Sequence, residues 1–105
     1  MATNRVDMLK QMLSEDPNNT FARYGLAMEL MKSGDFAQAI AEFNNLLGHD
    51  DTYAAAYYHG GQAHEKLGHV EEARRLYEKG IEVTTRKGDG HTRAELEAAL
   101  SLLPV

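Results

Sequence analysis

Apolar residues recur along most of the chain at intervals of three and four, the spacing that places side chains on one face of an α-helix. Two such stripes are Phe36, Ala39, Ile40, Phe43 and Leu47, and then Val70, Ala73, Leu76, Tyr77 and Ile81. A shorter stripe near the N-terminus consists of Met8, Leu9, Met12 and Leu13. Each of these segments is therefore predicted to form a helix that buries one face.

Glycines and prolines indicate where the helices begin and end. Proline occurs only at positions 17 and 104, and helix-favouring residues such as Ala, Leu and Glu are abundant, so helix is favoured almost throughout. Four glycines follow apolar-periodic segments and are predicted to end helices, namely Gly34, Gly48, Gly68 and Gly88. Asp35 is predicted to cap the next helix through its side chain with Gln38 as reciprocal partner, and His69 and Glu72 occupy the matching positions. The pattern predicts an all-α fold of six helices, near residues 4–15, 19–33, 36–47, 53–67, 70–86 and 91–102.

The chain contains an internal repeat. Gly34 and Gly68, Ala39 and Ala73, and Phe43 and Tyr77 are each 34 residues apart. The same interval relates Leu47 to Leu13, so the first helix is interpreted as the second half of an incomplete leading repeat. Because a single helical hairpin leaves one face exposed, repeats of this size are expected to stack on one another.

These residues resemble the tetratricopeptide repeat family, whose pattern is W-x2-L-G-x2-Y, then A-x3-F, then P. The matching positions are Leu26-Ala27, Gly60-Gly61, Ala39-x3-Phe43, Ala73-x3-Tyr77 and Pro17. The sequence departs from the pattern with Arg23 and Tyr57 at the tryptophan, Leu30 and His64 at the tyrosine, and Asp51 and Thr85 at the later prolines. The resemblance implies one superhelical stack of antiparallel hairpins, with a leading half repeat (1–19), two repeats (20–53 and 54–87) and a C-terminal solvating helix (88–105).

Four small residues at repeated positions indicate where helices approach closely, namely Ala27, Ala39, Gly61 and Ala73. The Gly60-Gly61 pair costs roughly 1 kcal/mol per residue in helix propensity relative to alanine. Close packing of two helices is expected to offset that cost.

Composition and charge narrow the classes of function. The chain is 43% hydrophobic and 26% charged, as in a globular domain, and it has no cysteine for disulfides or thiolate metal sites. A net charge of -5 with scattered basic residues argues against nucleic acid as a partner. The N-terminus lacks the apolar stretch of a signal peptide and no run is long enough to span a bilayer, so a cytoplasmic location without membrane partners is expected.

No catalytic or metal-binding motif is found. His59, His64 and His69 are five residues apart, which places successive side chains on different faces of a helix, so no metal site and no cofactor are expected. No serine lies in an elbow motif and no glycines form a phosphate-binding loop. The acidic pairs are interpreted as solvated helix faces, and the protein is predicted not to be an enzyme.

The family resemblance implies a concave groove lined by the first helix of each hairpin. The predicted binding residues are Tyr24, Met28, Lys32, Tyr58, Gln62, Lys66 and Arg93, with Leu96 continuing the surface. Phe21 and Met31 are assigned either to this groove or to the core. Aromatic, methionine and basic residues together suit a peptide with apolar anchors and a carboxylate. The family's clamp for the C-terminal carboxylate of heat-shock chaperones is matched only at Arg93, and that interpretation is rejected.

The leading hypothesis is a protein-interaction module, or adaptor, that binds a peptide or partner segment in the groove. The alternative is a structural self-assembly protein that forms a homo-oligomer through its terminal half repeats. The helix predicted near residues 19–33 is apolar on several sides, so Tyr24, Met28 and Tyr58 are expected to form a partly exposed patch. A partner segment, a second copy or the C-terminal Leu-Leu-Pro-Val folding back is expected to cover it.

Overall fold

The computed structural model describes residues 4–105, and the all-α prediction is confirmed over this range. The six helices are α1 (Arg5–Glu15), α2 (Thr20–Lys32), α3 (Phe36–His49), α4 (Ala54–Lys66), α5 (Val70–Lys87) and α6 (Gly90–Ser101). Each predicted boundary lies within two residues of the observed one. The first three residues of the predicted leading half repeat lie outside the described residues.

Short loops make successive helices pack against one another, and the core is divided into three clusters along the stack. The first cluster joins α1 to α2 through Leu9, Ala22 and Leu26. The second joins α2, α3 and α4 through Ala27, Ala39, Phe43, Leu46 and Ala56. The third joins α4, α5 and α6 through Tyr57, Ala73, Tyr77, Val83, Leu96 and Leu103. Each helix therefore contributes to a local core with its neighbours, as expected for stacked hairpins.

Three of the four predicted glycine stops are observed. Gly34, Gly68 and Gly88 have φ values of 81°, 77° and 72°, a left-handed conformation that glycine adopts without steric cost. Gly48 was predicted to be a fourth stop, and that prediction is wrong because α3 continues through it to His49. The next residue, Asp50, has an extended backbone conformation and does not continue the helix.

The predicted side-chain caps at Asp35 and His69 are also wrong, since neither side chain caps its helix. Both residues instead complete the preceding turn through the backbone. The Asp35 N–H donates to the Leu30 carbonyl at 2.8 Å, and the His69 N–H donates to the His64 carbonyl at 2.8 Å. In the described part of the chain, side-chain caps are found at three other positions, Asn4, Asn19 and Asp89.

The small residues lie at close helix contacts. Ala27, Ala39 and Ala73 are fully buried, and a methyl group at Gly61 would lie 2.7 Å from Cδ1 and Cζ of the Tyr77 ring. The sequence pattern did not single out Gly80, where a Cβ atom would lie 2.7 Å from Tyr57 Cβ. Side chains larger than hydrogen therefore do not fit at these two glycine positions without a helix shift.

The two residues at the family's tryptophan position have the same structural role. Arg23 Nη2 donates to the Pro17 carbonyl at 2.9 Å, and the Tyr57 hydroxyl donates to the Asp51 carbonyl at 2.6 Å. Pro17 and Asp51 are themselves 34 residues apart. Each side chain thus fixes the loop that precedes its own helix, although neither is a tryptophan.

The C-terminal Leu-Leu-Pro-Val segment packs against the third cluster. Leu103 is buried there, and Arg74 Nη2 donates to the Pro104 carbonyl at 2.6 Å. This segment therefore does not cover the predicted patch of Tyr24 and Met28, which packs against the second cluster.

None of the helices within residues 4–105 is both long and apolar enough to cross a membrane.

Candidate functional site

Two adjoining cavities open between the first helices of the hairpins. The first has a volume of about 390 Å³ and is lined by Met31 of α2 and by Gln62, Glu65 and Lys66 of α4. The second has a volume of about 400 Å³ and is lined by Tyr58, Gln62, Glu65, Glu95, Ala98, Ala99 and Leu102. Because Gln62 and Glu65 line both, we treat the two cavities as one surface and call it the groove.

The structure brings together part of the predicted site. Tyr58, Gln62 and Lys66 line the groove, and Met31 lines it while also packing against the second cluster. Phe21 is 67% exposed and therefore does not belong to the core.

Tyr24 and Met28 lie partly buried against the second cluster rather than lining either cavity. The Tyr24 ring centroid is 5.2 Å from that of Tyr53 and 6.1 Å from that of His59. The Tyr58 and His59 centroids are 5.1 Å apart in an edge-to-face arrangement. Tyr24 and Tyr58 thus belong to a row of aromatic rings, and burial raises the pKa of the Tyr24 hydroxyl. Replacing Tyr24 and Tyr58 by alanine is therefore expected to lower the free energy of unfolding.

Two of the predicted basic residues do not line the groove. Lys32 is exposed with its Nζ 3.9 Å from Glu29 Oε1, and Arg93 Nε lies 3.6 Å from Glu97 Oε2. Neither is among the residues that line the cavities. Lys66 therefore remains as the one predicted basic residue that lines the described groove.

Leu96 was predicted to continue the groove surface, and that prediction is wrong because Leu96 is fully buried in the third cluster. The reason is a shift in the repeat. α5 has 18 residues against 14 in α3, and α6 consequently begins 36 residues after α4 instead of 34. With this offset, Ala98 and Leu102 occupy the positions equivalent to Gln62 and Lys66, and both line the groove.

Glu65 is a groove residue that the sequence analysis missed. The hydroxyl of the fully buried Tyr77 donates to Glu65 Oε2, and burial followed by this hydrogen bond raises the pKa of Tyr77 far above its ordinary value. Glu65 lies seven residues after Tyr58, a spacing that returns to the same helix face, so the periodicity contained a signal for it. The sequence pattern did not indicate Glu95. Its position in the groove depends on the start of α6, which lies 36 residues after that of α4 instead of 34.

His59 contacts the groove residue Gln62 and was not among the predicted binding residues. Its Nδ1 is 3.2 Å from Gln62 Oε1, a contact between the ring and a groove residue. Burial lowers the pKa of His59, while the Gln62 contact and the charge of Glu95 oppose that shift. Burial thus favours the neutral imidazole over its charged form.

The structure also revises the interpretation of the other histidines. His64 and His69 were predicted to lie on different faces, but their Nδ1 atoms are 3.2 Å apart. The left-handed turn at Gly68 returns the chain over the last turn of α4 and places the two rings side by side. Across residues 4–105, no group of three or more His, Cys, Asp or Glu side chains is placed to hold a metal ion.

Antiparallel helix pairs that stack with a 34-residue period define a helical-repeat protein. The chain belongs to the tetratricopeptide repeat family, since the family's sequence model matches residues 30–86, more than half of the chain. A TPR repeat-containing protein of Pseudomonas aeruginosa is 26% identical over 98 residues, which cover 93% of each protein. The solution structure of a tetratricopeptide repeat domain protein from Salinibacter ruber is 36% identical with a TM-score of 0.75, covering 81% of this chain and 86% of that one.

A second similar structure contains a bound partner. The crystal structure of PcrH in complex with the chaperone binding region of PopD matches with a TM-score of 0.87, covering 91% of this chain and 73% of PcrH. The identity is 15%, so this similarity concerns the fold alone.

Proposed function

We propose that this protein is an interaction module that binds a segment of a partner protein in the groove. The observation that carries the proposal is the pair of adjoining open cavities along α4, whose linings combine apolar and polar side chains. Grooves of this composition suit peptide segments, because apolar contacts supply affinity while a few polar groups fix orientation. PcrH, which has the same fold, binds a region of another protein, and this supports the same class of function here.

Substitution at the centre of the groove tests this proposal. Gln62 lines both cavities, so Gln62→Trp should fill the groove and remove binding. The matched control is Gln38→Trp, because Gln38 is an exposed glutamine on α3 that lines neither cavity. The assay is selection of a random-peptide phage library on the purified protein. We expect peptides that bind the wild type and Gln38→Trp but not Gln62→Trp. Peptides that bind all three proteins equally would refute binding in the groove.

A second proposal, self-assembly, rests on the exposed face of α1. Met12 corresponds by the 34-residue interval to Leu46, yet Met12 is 37% exposed whereas Leu46 is fully buried. Met8 on the same helix is 55% exposed. In α3 the equivalent face is covered by α2, so a helix from a second copy is the proposed cover for α1.

Light scattering at high protein concentration should then report an oligomer that Met8→Ser/Met12→Ser dissociates. A wild-type monomer would exclude this alternative.

A further inference from the structure

The part of the groove between α4 and α6 is acidic. Glu65 and Glu95 both line the second cavity, and among residues 4–105 its lining includes no lysine or arginine. Glu95 lies 3.6 Å from the ring of His91, which is highly exposed and charged only when protonated. The charge of Glu95 also acts on His59, which contacts the groove residue Gln62. A ligand in this cavity therefore meets negative charge from two different helices.

Glu65 is held in place by a neutral hydrogen-bond donor. The buried Tyr77 hydroxyl fixes one carboxylate oxygen without neutralising the negative charge. A carboxylate fixed in this way loses little side-chain entropy when a cation approaches, so it binds that cation better than a mobile glutamate does.

Apolar side chains surround the two carboxylates. Tyr58, Ala98 and Leu102 line the same cavity, and Leu102 is 83% exposed. An aromatic ring beside carboxylates favours a lysine or arginine head group, which interacts with the ring face as well as with the charges. Leu102 and Ala98 offer contact area to an apolar neighbour of that head group.

We propose that the groove selects partner segments in which a lysine or arginine lies next to an apolar side chain. The cation is bound in the cavity lined by Glu65 and Glu95, and the apolar side chain contacts Leu102 and Ala98. This inference rests on the proposed function and names the chemistry of its ligand. It replaces the expected carboxylate-bearing peptide, because Lys32 and Arg93 do not line the two cavities and, in the described part of the chain, the lining of the second cavity contains no lysine or arginine.

The experiment uses the peptides selected on the wild-type protein. The most enriched peptide is synthesised with a fluorescein label, and its affinity is measured by fluorescence anisotropy for the wild type and for Glu65→Gln/Glu95→Gln. Glutamine can still accept the Tyr77 hydrogen bond, so the fold should be retained, which circular dichroism checks. The matched control is Glu78→Gln/Glu82→Gln, which removes two exposed charges from α5.

We expect the selected peptides to be enriched in lysine and arginine beside apolar residues. The groove variant should bind the labelled peptide about fivefold to thirtyfold more weakly than the wild type, while the control variant should bind it nearly unchanged. Replacing the peptide's cation by glutamine should cause a similar loss, and adding salt should weaken only the wild-type interaction strongly.

Each other outcome overturns the inference. Selected peptides without a basic preference, or an unchanged affinity in the groove variant, would refute the choice of ligand but leave groove binding intact. Absence of any selected peptide would refute the proposed function as well. A dimer that becomes monomeric in Glu65→Gln/Glu95→Gln would show that a second copy fills the groove.

Discussion

Replacing Gly80 by alanine tests the close approach of α4, α5 and α6. Helix propensity alone predicts that this change stabilises α5 by about 1 kcal/mol. The structure predicts that the change destabilises the protein, because the new Cβ would lie 2.7 Å from Tyr57 Cβ and 2.9 Å from Leu96 Cδ1. The Tyr57 atom is attached directly to the backbone, so a rotamer change does not relieve the contact. α5 must instead move away from α4.

The magnitude follows from the balance of these two effects. Overpacking a buried contact costs roughly 1–3 kcal/mol, and the gain in helix propensity of about 1 kcal/mol offsets part of that cost. We therefore expect a net loss of up to about 2 kcal/mol and a fall in the thermal midpoint of up to about 15 °C for a chain of this size. Circular dichroism recorded during thermal unfolding measures the midpoint of the variant and of the wild type.

Gly48→Ala is the matched control, since Gly48 is also helical and a Cβ there would meet no atom within 4 Å. It should stabilise the protein by roughly 0.5–1 kcal/mol because only the entropy and propensity effects remain. If Gly80→Ala is as stable as Gly48→Ala, the close contact between α4 and α5 is not a rigid one, and the packing argument fails.

Three further predictions concern stability. Ala39→Leu and Ala73→Leu should each lower the thermal midpoint through overpacking of about 1–3 kcal/mol, because both alanines are fully buried; an unchanged midpoint in both would contradict the hairpin contacts. Burial lowers the pKa of His59 and of His64 below 6.5, so the unfolded chain binds protons first and stability should fall as the pH drops from about 7.5 to 5.5. His59→Gln/His64→Gln should flatten that dependence in urea titrations, and an equally steep curve in the variant would refute the assignment. Tyr57→Phe should lose about 1 kcal/mol by removing the hydrogen bond to the Asp51 carbonyl, and urea unfolding that matches the wild type would show that this bond contributes nothing.

The fold was predictable from the sequence because its signals repeat. The stripes at Phe43 and Tyr77 and the left-handed stops at Gly34 and Gly68 occur twice at the same interval, so each occurrence supports the other. Gly48 misled the prediction because a glycine after an apolar stripe also occurs inside a helix. Nothing local to Gly48 distinguishes it from the true stops.

The candidate site was predictable only where the period holds. Tyr58, Gln62 and Lys66 lie within the regular repeat, and all three line the groove. The position of Leu96 depends on the length of α5, and one additional turn of that helix moves it into the core. The direction of the Arg93 side chain likewise depends on its pairing with Glu97, which a repeat pattern does not encode.

The three core clusters differ in size, and this has a consequence for the motions of the molecule. The cluster that holds α1 contains three buried residues, whereas the one that joins α4, α5 and α6 contains six. In a stack where each unit contacts only its neighbours, the weakest end separates first. Backbone amides of α1 should therefore exchange with deuterium through local opening, while those of α5 should exchange only on global unfolding. The N-terminal helix would then act as a transient cover, whose departure exposes the Leu26 side of α2 for short intervals.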